Sequence, residues 1–345
     1  MRVALIGGCG FIGHHLAIRL RQAGHAVLAV DNLMWNNLVD NVMAEDGLRR
    51  ALYQRFIDQR FESMRFHDVQ LANVDARQAL ELNDVLAAFG ATDIVHLSAI
   101  SSALEAKKRP GLCFDLQLLT FRNVLEYARR GVNRVMLMSS STVYGDFDGA
   151  EVTEDTRPRP RGIYANAKYM AERLARTYAD QYGIATTIVR PSALYGPRCI
   201  SGRVSQKFVE MALAGKPLPL DGGGAGLLDF THIDDLVEGL ALALEQPGGG
   251  TNTFNLTYGR ARTIREMAEV LRGVIPCEFV ETPANTLAPV RGTLSTARAE
   301  KVLGFKAARS LEDGYRAYCE WYKEQWAHAE EARRDRAHPA GREAA

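Results

Sequence analysis

The first 31 residues, MRVALIGGCGFIGHHLAIRLRQAGHAVLAVD, restrict the fold more than any other stretch of the chain. Val3 to Ile6 is an apolar, β-branched run that reads as a buried strand. Gly7, Gly10 and Gly13 follow with the spacing G-x-x-G-x-x-G. Leu16, Ala17, Leu20 and Ala23 then recur at helical spacing, and Gly24 stops that helix. A second apolar strand, His25 to Val30, ends on Asp31. This is a βαβ unit whose glycine-rich turn lets the backbone approach a pyrophosphate lying on the amides of the helix N-terminus. Gly7, Gly10, Phe11, Ile12 and Gly13 are the candidates for that contact. Asp31, with Asn32 beside it, is placed to accept hydrogen bonds from the adenosine ribose. Its charge repels a 2′-phosphate, so the cofactor reads as NAD rather than NADP.

Composition narrows the function classes. The 345 residues suffice for about two domains. With 47% hydrophobic and 24% charged residues the chain has the make-up of an ordinary globular protein, and a net charge of +1 argues against a nucleic-acid partner. No apolar run approaches the ~20 residues that span a bilayer, and the N-terminus is already a strand rather than a signal peptide. The five cysteines are scattered without a C-x-x-C pair, as expected of thiols in a reducing cytoplasm. His14 and His15 open the first helix with no partners at ligand spacing, so no metal is expected.

Further along, Leu48, Leu52, Phe56 and Ile57 suggest a helix within the long segment from Asn32 to about Arg65, and Met64 to Leu71 reads as the third strand. Trp35, Asn36 and Asn37 lie either against an adenine edge or in a surface loop. Asn73 and Val74 fall where a polar and an apolar side chain flank adenine. A helix at about Ala76 to Phe89 precedes a fourth strand, Thr92 to Leu97, with Ser98, Ala99, Ser101 and Ser102 at its carboxyl end, the edge where open parallel sheets bind ligands. Phe114 to Arg129 is helical. Arg134 to Met138 is the fifth strand and runs into Ser139-Ser-Ser-Thr-Val-Tyr-Gly145. After a proline-rich loop, Tyr164 and Lys168 share one face of a helix that reaches about Tyr182. Thr186 to Arg190 is the sixth strand, ended by Pro191 and Ser192.

Beyond Arg190, helices are expected at about Ser205 to Ala214, Ile233 to Leu244, Ile264 to Gly273 and Leu311 to Gln325, with a strand at Thr253 to Leu256. The domain expectation is a cofactor domain over 1–190, to which 229–258 returns, a substrate lobe over 191–327, and a charged tail over 328–345 that frays into solvent.

The constellation suits alcohol–ketone chemistry. A phenol titrates near ~10, and a lysine one turn away, with the nicotinamide cation, favours the phenolate. Tyr164 then takes a proton from a substrate hydroxyl while hydride leaves the adjacent carbon. Lys168 also serves the nicotinamide ribose, and a hydroxyl from Ser140, Ser141 or Thr142, foremost Ser140, orients the reacting oxygen.

Gly7 to Gly13, Asp31-Asn32, Ser139 to Gly145, Tyr164 to Lys168 and Arg190-Pro-Ser-Ala-Leu-Tyr-Gly-Pro-Arg198 together resemble the extended short-chain dehydrogenase/reductase superfamily, and within it the NAD-dependent nucleotide-sugar epimerase/dehydratase branch. The resemblance runs from Met1 to about Tyr322. It implies an α/β, Rossmann-type doubly wound parallel sheet with a smaller, mixed C-terminal lobe for a nucleotide sugar. It also implies bound NAD, with Leu97, Ser98, Ala99, Pro191 and Ser192 lining its site, and a Ser/Tyr/Lys catalytic set. A homodimer through a four-helix bundle follows from it, built on the helices around Phe114 to Arg129 and Tyr164 to Tyr182.

Before Val143-Tyr144-Gly145, dehydratases of the branch resemble Thr-Asp-Glu and decarboxylases Thr-Ser-Glu; here Ser140, Ser141 and Thr142 carry no carboxylate, which resembles the 4-epimerases. The chain departs from the branch at Ala193, where asparagine is frequent, and at Leu228, where an arginine usually precedes Asp-Phe. Arg198, Arg203, Lys207 and Arg291 are the candidate substitutes for phosphate binding, or else solvated charges; with Ser101, Ser102 and Ala193 they make up the expected substrate contacts. Rival readings are a sugar dehydratase, a decarboxylase, a net dehydrogenase/reductase of the same fold, and a silent NAD-binding sensor or scaffold.

Overall fold

The computed structural model describes residues 1–34, 47–149, 151–246, 249–284 and 289–337. Its centre is a seven-stranded, wholly parallel sheet. The strands are β1 (Arg2–Ile6), β2 (Ala26–Asp31), β3 (Gln70–Asn73), β4 (Asp93–His96), β5 (Arg134–Met138), β6 (Thr186–Arg190) and β7 (Thr251–Asn255). The principal helices are α1 (Phe11–Gln22), α2 (Gly47–Phe66), α3 (Ala79–Phe89), α4 (Thr120–Ala128) and α5 (Gly162–Tyr182). They continue with α6 (Val204–Leu213), α7 (Ile233–Glu245), α8 (Ile264–Arg272), α9 (Ala297–Leu303) and α10 (Leu311–Ala337).

The strand order β7-β6-β5-β4-β1-β2-β3 reverses direction between β1 and β4. That is the switch point where doubly wound sheets open a crevice at the strand carboxyl ends. Side chains alternate along each strand, and both faces are covered. Val3, Leu5, Val27 and Met136 join Leu16 and Leu20 of α1 and Leu236 and Leu240 of α7 in one core. Ala4, Ile6, Leu28 and Leu137 join Leu86 of α3, Leu125 of α4 and Ala171 of α5 in the other. Each fully buried Leu or Ile contributes about 1.5–3 kcal/mol. The small residues at 171 and 175, both fully buried, let α5 lie close to the sheet and bring its first turns to the crevice.

A further core lies away from the sheet. Phe56 of α2, Phe208 of α6, Leu271 of α8 and Tyr315, Tyr318 and Tyr322 of α10 meet there. Helix α2 thus leaves the cofactor half and packs along α10.

Several boundaries differ from the sequence expectation. Met64 is not the start of a strand: Phe56, Arg60 and Met64 form a buried i,i+4 series, so the helix continues to Phe66 and β3 is only Gln70–Asn73. The segment expected as one helix over Phe114 to Arg129 contains a π-helical turn, Asp115–Leu119, before α4. Helix α9 was not anticipated. Helix α10 runs to Ala337, past the residue 327 where fraying was expected; Ala329 is 2% exposed, while residues 331–334 are exposed. Trp35, Asn36 and Asn37 lie outside the described residues. Among the described residues no helix is long and apolar enough to cross a membrane.

Candidate active site

The glycine turn is held by geometry that other residues do not permit. Gly7 has φ +85°, and a Cβ there would lie 2.9 Å from the Ser98 amide; one on Gly13 would lie 2.5 Å from the Gly8 carbonyl. Helix α1 starts at Phe11 with Gly10 as its cap, without a side-chain capping bond and without an acid in its first turn. Its leading amides therefore face the crevice with no acid of the helix's own first turn against them. Asp31 Oδ2 accepts from the Cys9 amide and Oδ1 from the Leu33 amide, each at 3.0 Å, which fixes the carboxylate at the tip of β2. Asn32 Nδ2 donates to Asp75 Oδ2 at 3.2 Å.

A cavity of about 140 Å³ opens over this turn. Its wall holds the sequence candidates Gly7, Gly10, Phe11, Ile12, Gly13, Asp31, Asn32, Leu97, Ser98, Ala99 and Ser101. Sequence reasoning missed Arg60, Leu116, Ile200 and Ser201 in the same wall. A cradle of glycines that any Cβ would fill, backed by helix amides and closed by a fixed carboxylate, fits the diphosphate and ribose of a dinucleotide.

A second cavity, of about 270 Å³, adjoins the first and shares Ile12, Leu97, Ala99, Ser101 and Arg203 with it. The end of β5 supplies Ser139, Ser140, Ser141 and Thr142, α5 supplies Tyr164 and Lys168, and the end of β6 supplies Pro191, Ser192 and Ala193; Leu228 and Arg291 complete the wall. Ser140 Oγ accepts from the Thr142 amide at 3.2 Å and from the Thr142 hydroxyl at 3.0 Å, which leaves its own proton for another oxygen. Lys168 is buried, with Nζ donating to the Met138 carbonyl at 2.7 Å and lying 6.0 Å from the Tyr164 ring centre. Burial pulls its pKa down to about 7, against the opposing pull of Cys113 and Glu172.

The protein alone does not lower the phenol in the way the sequence suggested. Burial pushes Tyr164 up, and the groups that oppose this are the Arg203 guanidinium and the Ser140 hydroxyl. The rise of this phenol is thus opposed by a charge from the loop after β6.

Beneath α5 lies a support that the sequence reading did not name. Glu172 is fully buried; it accepts from Arg190 Nε at 2.9 Å, Arg190 Nη2 at 2.6 Å and Ser139 Oγ at 2.5 Å. This bidentate pair ties α5 to the ends of β5 and β6. The i,i+4 series Tyr164, Lys168 and Glu172 was the available signal.

Other candidates are placed elsewhere. Asn73 pairs with Asp31 across the sheet and Val74 packs on the helix-covered core, and neither lines the cavities. Ser102 caps a short helix by accepting from the Glu105 amide at 3.4 Å. Arg198 turns away and donates to His14 Nε2 at 3.1 Å, and Lys207 is outside both walls. Arg291 lines the second cavity with Nη1 on the Gly145 carbonyl at 2.8 Å. The backbone after β6 is unusual: Ala193 has φ +31° and Arg198 φ +63°, left-handed values that non-glycine residues adopt under constraint.

A family model described as the NAD dependent epimerase/dehydratase family matches residues 3–257. The probable UDP-glucuronate 4-epimerase of Rhizobium meliloti (strain 1021) is 31% identical over 351 residues, covering 95% of this chain and 99% of that protein. UDP-glucuronic acid decarboxylase 2 of Arabidopsis thaliana is 32% identical over 91% of this chain and 66% of that protein. The structure of UDP-glucose 4-epimerase from Thermus thermophilus in complex with NAD has a TM-score of 0.79 at 25% identity, over 94% of this chain and 99% of that one.

Proposed function

We propose, for a chain that belongs to the NAD dependent epimerase/dehydratase family, that its reaction is inversion at C4 of a UDP-sugar through a transient 4-keto sugar. The cofactor is NAD, which when bound would supply reversible hydride transfer at C4. Tyr164 takes the proton of the C4 hydroxyl and gives it back once the keto sugar has turned over. Ser140 donates its free proton to the same oxygen, with Ser141 and Thr142 beside it. Lys168 holds the end of β5 through the Met138 carbonyl and supplies a second proton-carrying group next to the phenol. Gly7 to Gly13 and Asp31 hold the dinucleotide, and Arg203 and Arg291 hold the anionic part of the sugar nucleotide.

The observation that carries epimerisation over elimination is the chemistry of the catalytic cavity. Its described wall offers hydroxyls and the cations Lys168, Arg203 and Arg291, but no carboxylate. Loss of water needs a further general acid and base besides the phenol, and this wall provides neither. The same cations favour a dianionic sugar nucleotide, in keeping with the UDP-sugars named for the relatives.

The test is proton NMR of UDP-glucose and UDP-glucuronate incubated with the purified chain, with no NAD added, while the reduced-nicotinamide band is followed. Epimerisation yields the C4 epimer without net NADH. A 4-keto-6-deoxy sugar, a pentose formed by loss of carbon dioxide, or stoichiometric NADH would each replace this reading by a rival. We further propose that the chain is a homodimer through α4 and α5, which light scattering after gel filtration would test.

A further inference from the structure

Arg60 is 2% exposed, yet it stands in the wall of the dinucleotide cavity beside Gly10, Gly13, Ile200 and Ser201. It comes from α2, outside the βαβ unit. Nη1 donates to the Cys9 carbonyl in the glycine turn at 3.3 Å, and Nη2 donates to the Arg198 carbonyl at 2.6 Å. One guanidinium thus spans the cofactor turn and the loop that leads to Arg203. Burying such a charge is costly unless an anion or good acceptors meet it. Burial draws its pKa down to about 10; Arg198 pushes the same way and Asp31 opposes. The adjoining helix α1 presents uncapped amides without an acid in its first turn, so two positive features, the guanidinium and the helix end, share this wall with the Asp31 carboxylate.

We propose that Arg60 is a cofactor-binding residue that holds the diphosphate of NAD together with the first-turn amides of α1. The inference rests on NAD as the cofactor and adds a contact that neither the glycine spacing nor Asp31 implies. A planar fork of donors matches phosphate oxygens in pairs, and the two negative charges of the diphosphate offset the desolvation of the buried cation. The Arg198 carbonyl carries the same contact into the loop after β6.

Calorimetric titration of the nucleotide-free chain with ADP and with adenosine tests this without any turnover. The wild-type chain, Arg60→Gln and Arg60→Lys are compared, with circular dichroism as the check on folding. Arg60→Gln keeps a donor for the carbonyls but removes the charge; it weakens ADP about tenfold to a hundredfold and leaves adenosine within about twofold. Arg60→Lys keeps the charge but loses the fork, and its ADP affinity falls about three- to tenfold with adenosine unchanged. A purely structural role would weaken both ligands equally, and that result overturns the proposal, as does unchanged ADP binding in Arg60→Gln. If Arg60→Gln does not fold, Arg60→Lys decides: an unaltered preference for ADP over adenosine overturns it. A wild-type chain freed of bound nucleotide that still binds no ADP refutes the cofactor site and this residue's role together.

Discussion

The two adjoining cavities are built in opposite ways. The dinucleotide cavity has a backbone cradle from one short stretch, Gly7 to Gly13 with Asp31-Asn32 in a single βαβ unit, and more distant residues such as Arg60, Ser98 and Ser201 complete its wall. The catalytic cavity is mostly side chains from distant stretches: Ser101, Ser140 to Thr142, Tyr164, Lys168, Ala193, Arg203, Leu228 and Arg291. A site made from amides and glycines tolerates little change and binds one kind of group. A site made from side chains on separate loops can alter its ligand by exchanging single residues while the reacting centre stays in place. The absent arginine before Asp229 and the cations Arg203 and Arg291 within the wall illustrate that freedom.

The largest effect should come from the reacting centre. Tyr164→Phe keeps the ring but removes the proton carrier, and turnover falls about 10²- to 10⁴-fold while bound NAD is retained. The measurement is NMR of the C4 epimers with absorbance of the bound cofactor; wild-type turnover would move the base elsewhere in the catalytic cavity. On the other side of the comparison, Gly13→Ala places a Cβ 2.5 Å from the Gly8 carbonyl and 2.7 Å from the Gly7 carbonyl. It costs about 1–3 kcal/mol in urea unfolding and releases NAD on gel filtration. A variant that keeps both would mean the turn is as adaptable as the loops.

Arg291→Gln sharpens the contrast. KM for the sugar nucleotide rises about tenfold with NAD affinity unaltered, as checked by steady-state kinetics and cofactor titration. An equal loss of NAD would show the two cavities to be one site.

A smaller effect is expected from Lys168→Met. The folded-state pKa of about 7 lies below the usual 10.5, so between these values the unfolded chain binds more protons than the folded one. Wild-type stability relative to the variant is lowest below pH 7 and rises with pH toward 10.5. Thermal unfolding of both across that range tests the sign, and a difference independent of pH would show that Lys168 is not buried as a charge. Smallest of all, Lys207→Gln leaves KM within about twofold, because this lysine lines neither cavity.

The α5 support shows where reading by apolar periodicity loses information. Tyr164 and Lys168 were legible because a phenol and an amine one turn apart have a known chemistry. Glu172, one turn further, carries no such signature, and its meaning depends on Arg190 reaching it from β6. Arg60 failed in the same way. It occupies a core position of α2, and counting only apolar residues ended that helix too early.

By itself the sequence determined the parallel sheet, the cofactor turn, the acid at the tip of β2 and the serine, tyrosine and lysine at the crevice. The signals for these lie between residues close along the chain, where strand alternation, glycine conformation and i,i+4 spacing act directly. Only the tertiary structure decided that Arg203 rather than Arg198 enters the cavities. It likewise decided that Arg203, and not Lys168, is the protein charge most opposed to the rise of the Tyr164 pKa. The physical reason is distance along the chain. An arginine's charge acts through whatever its side chain finally faces, and for Arg198 that is His14, on a helix 184 residues away in sequence.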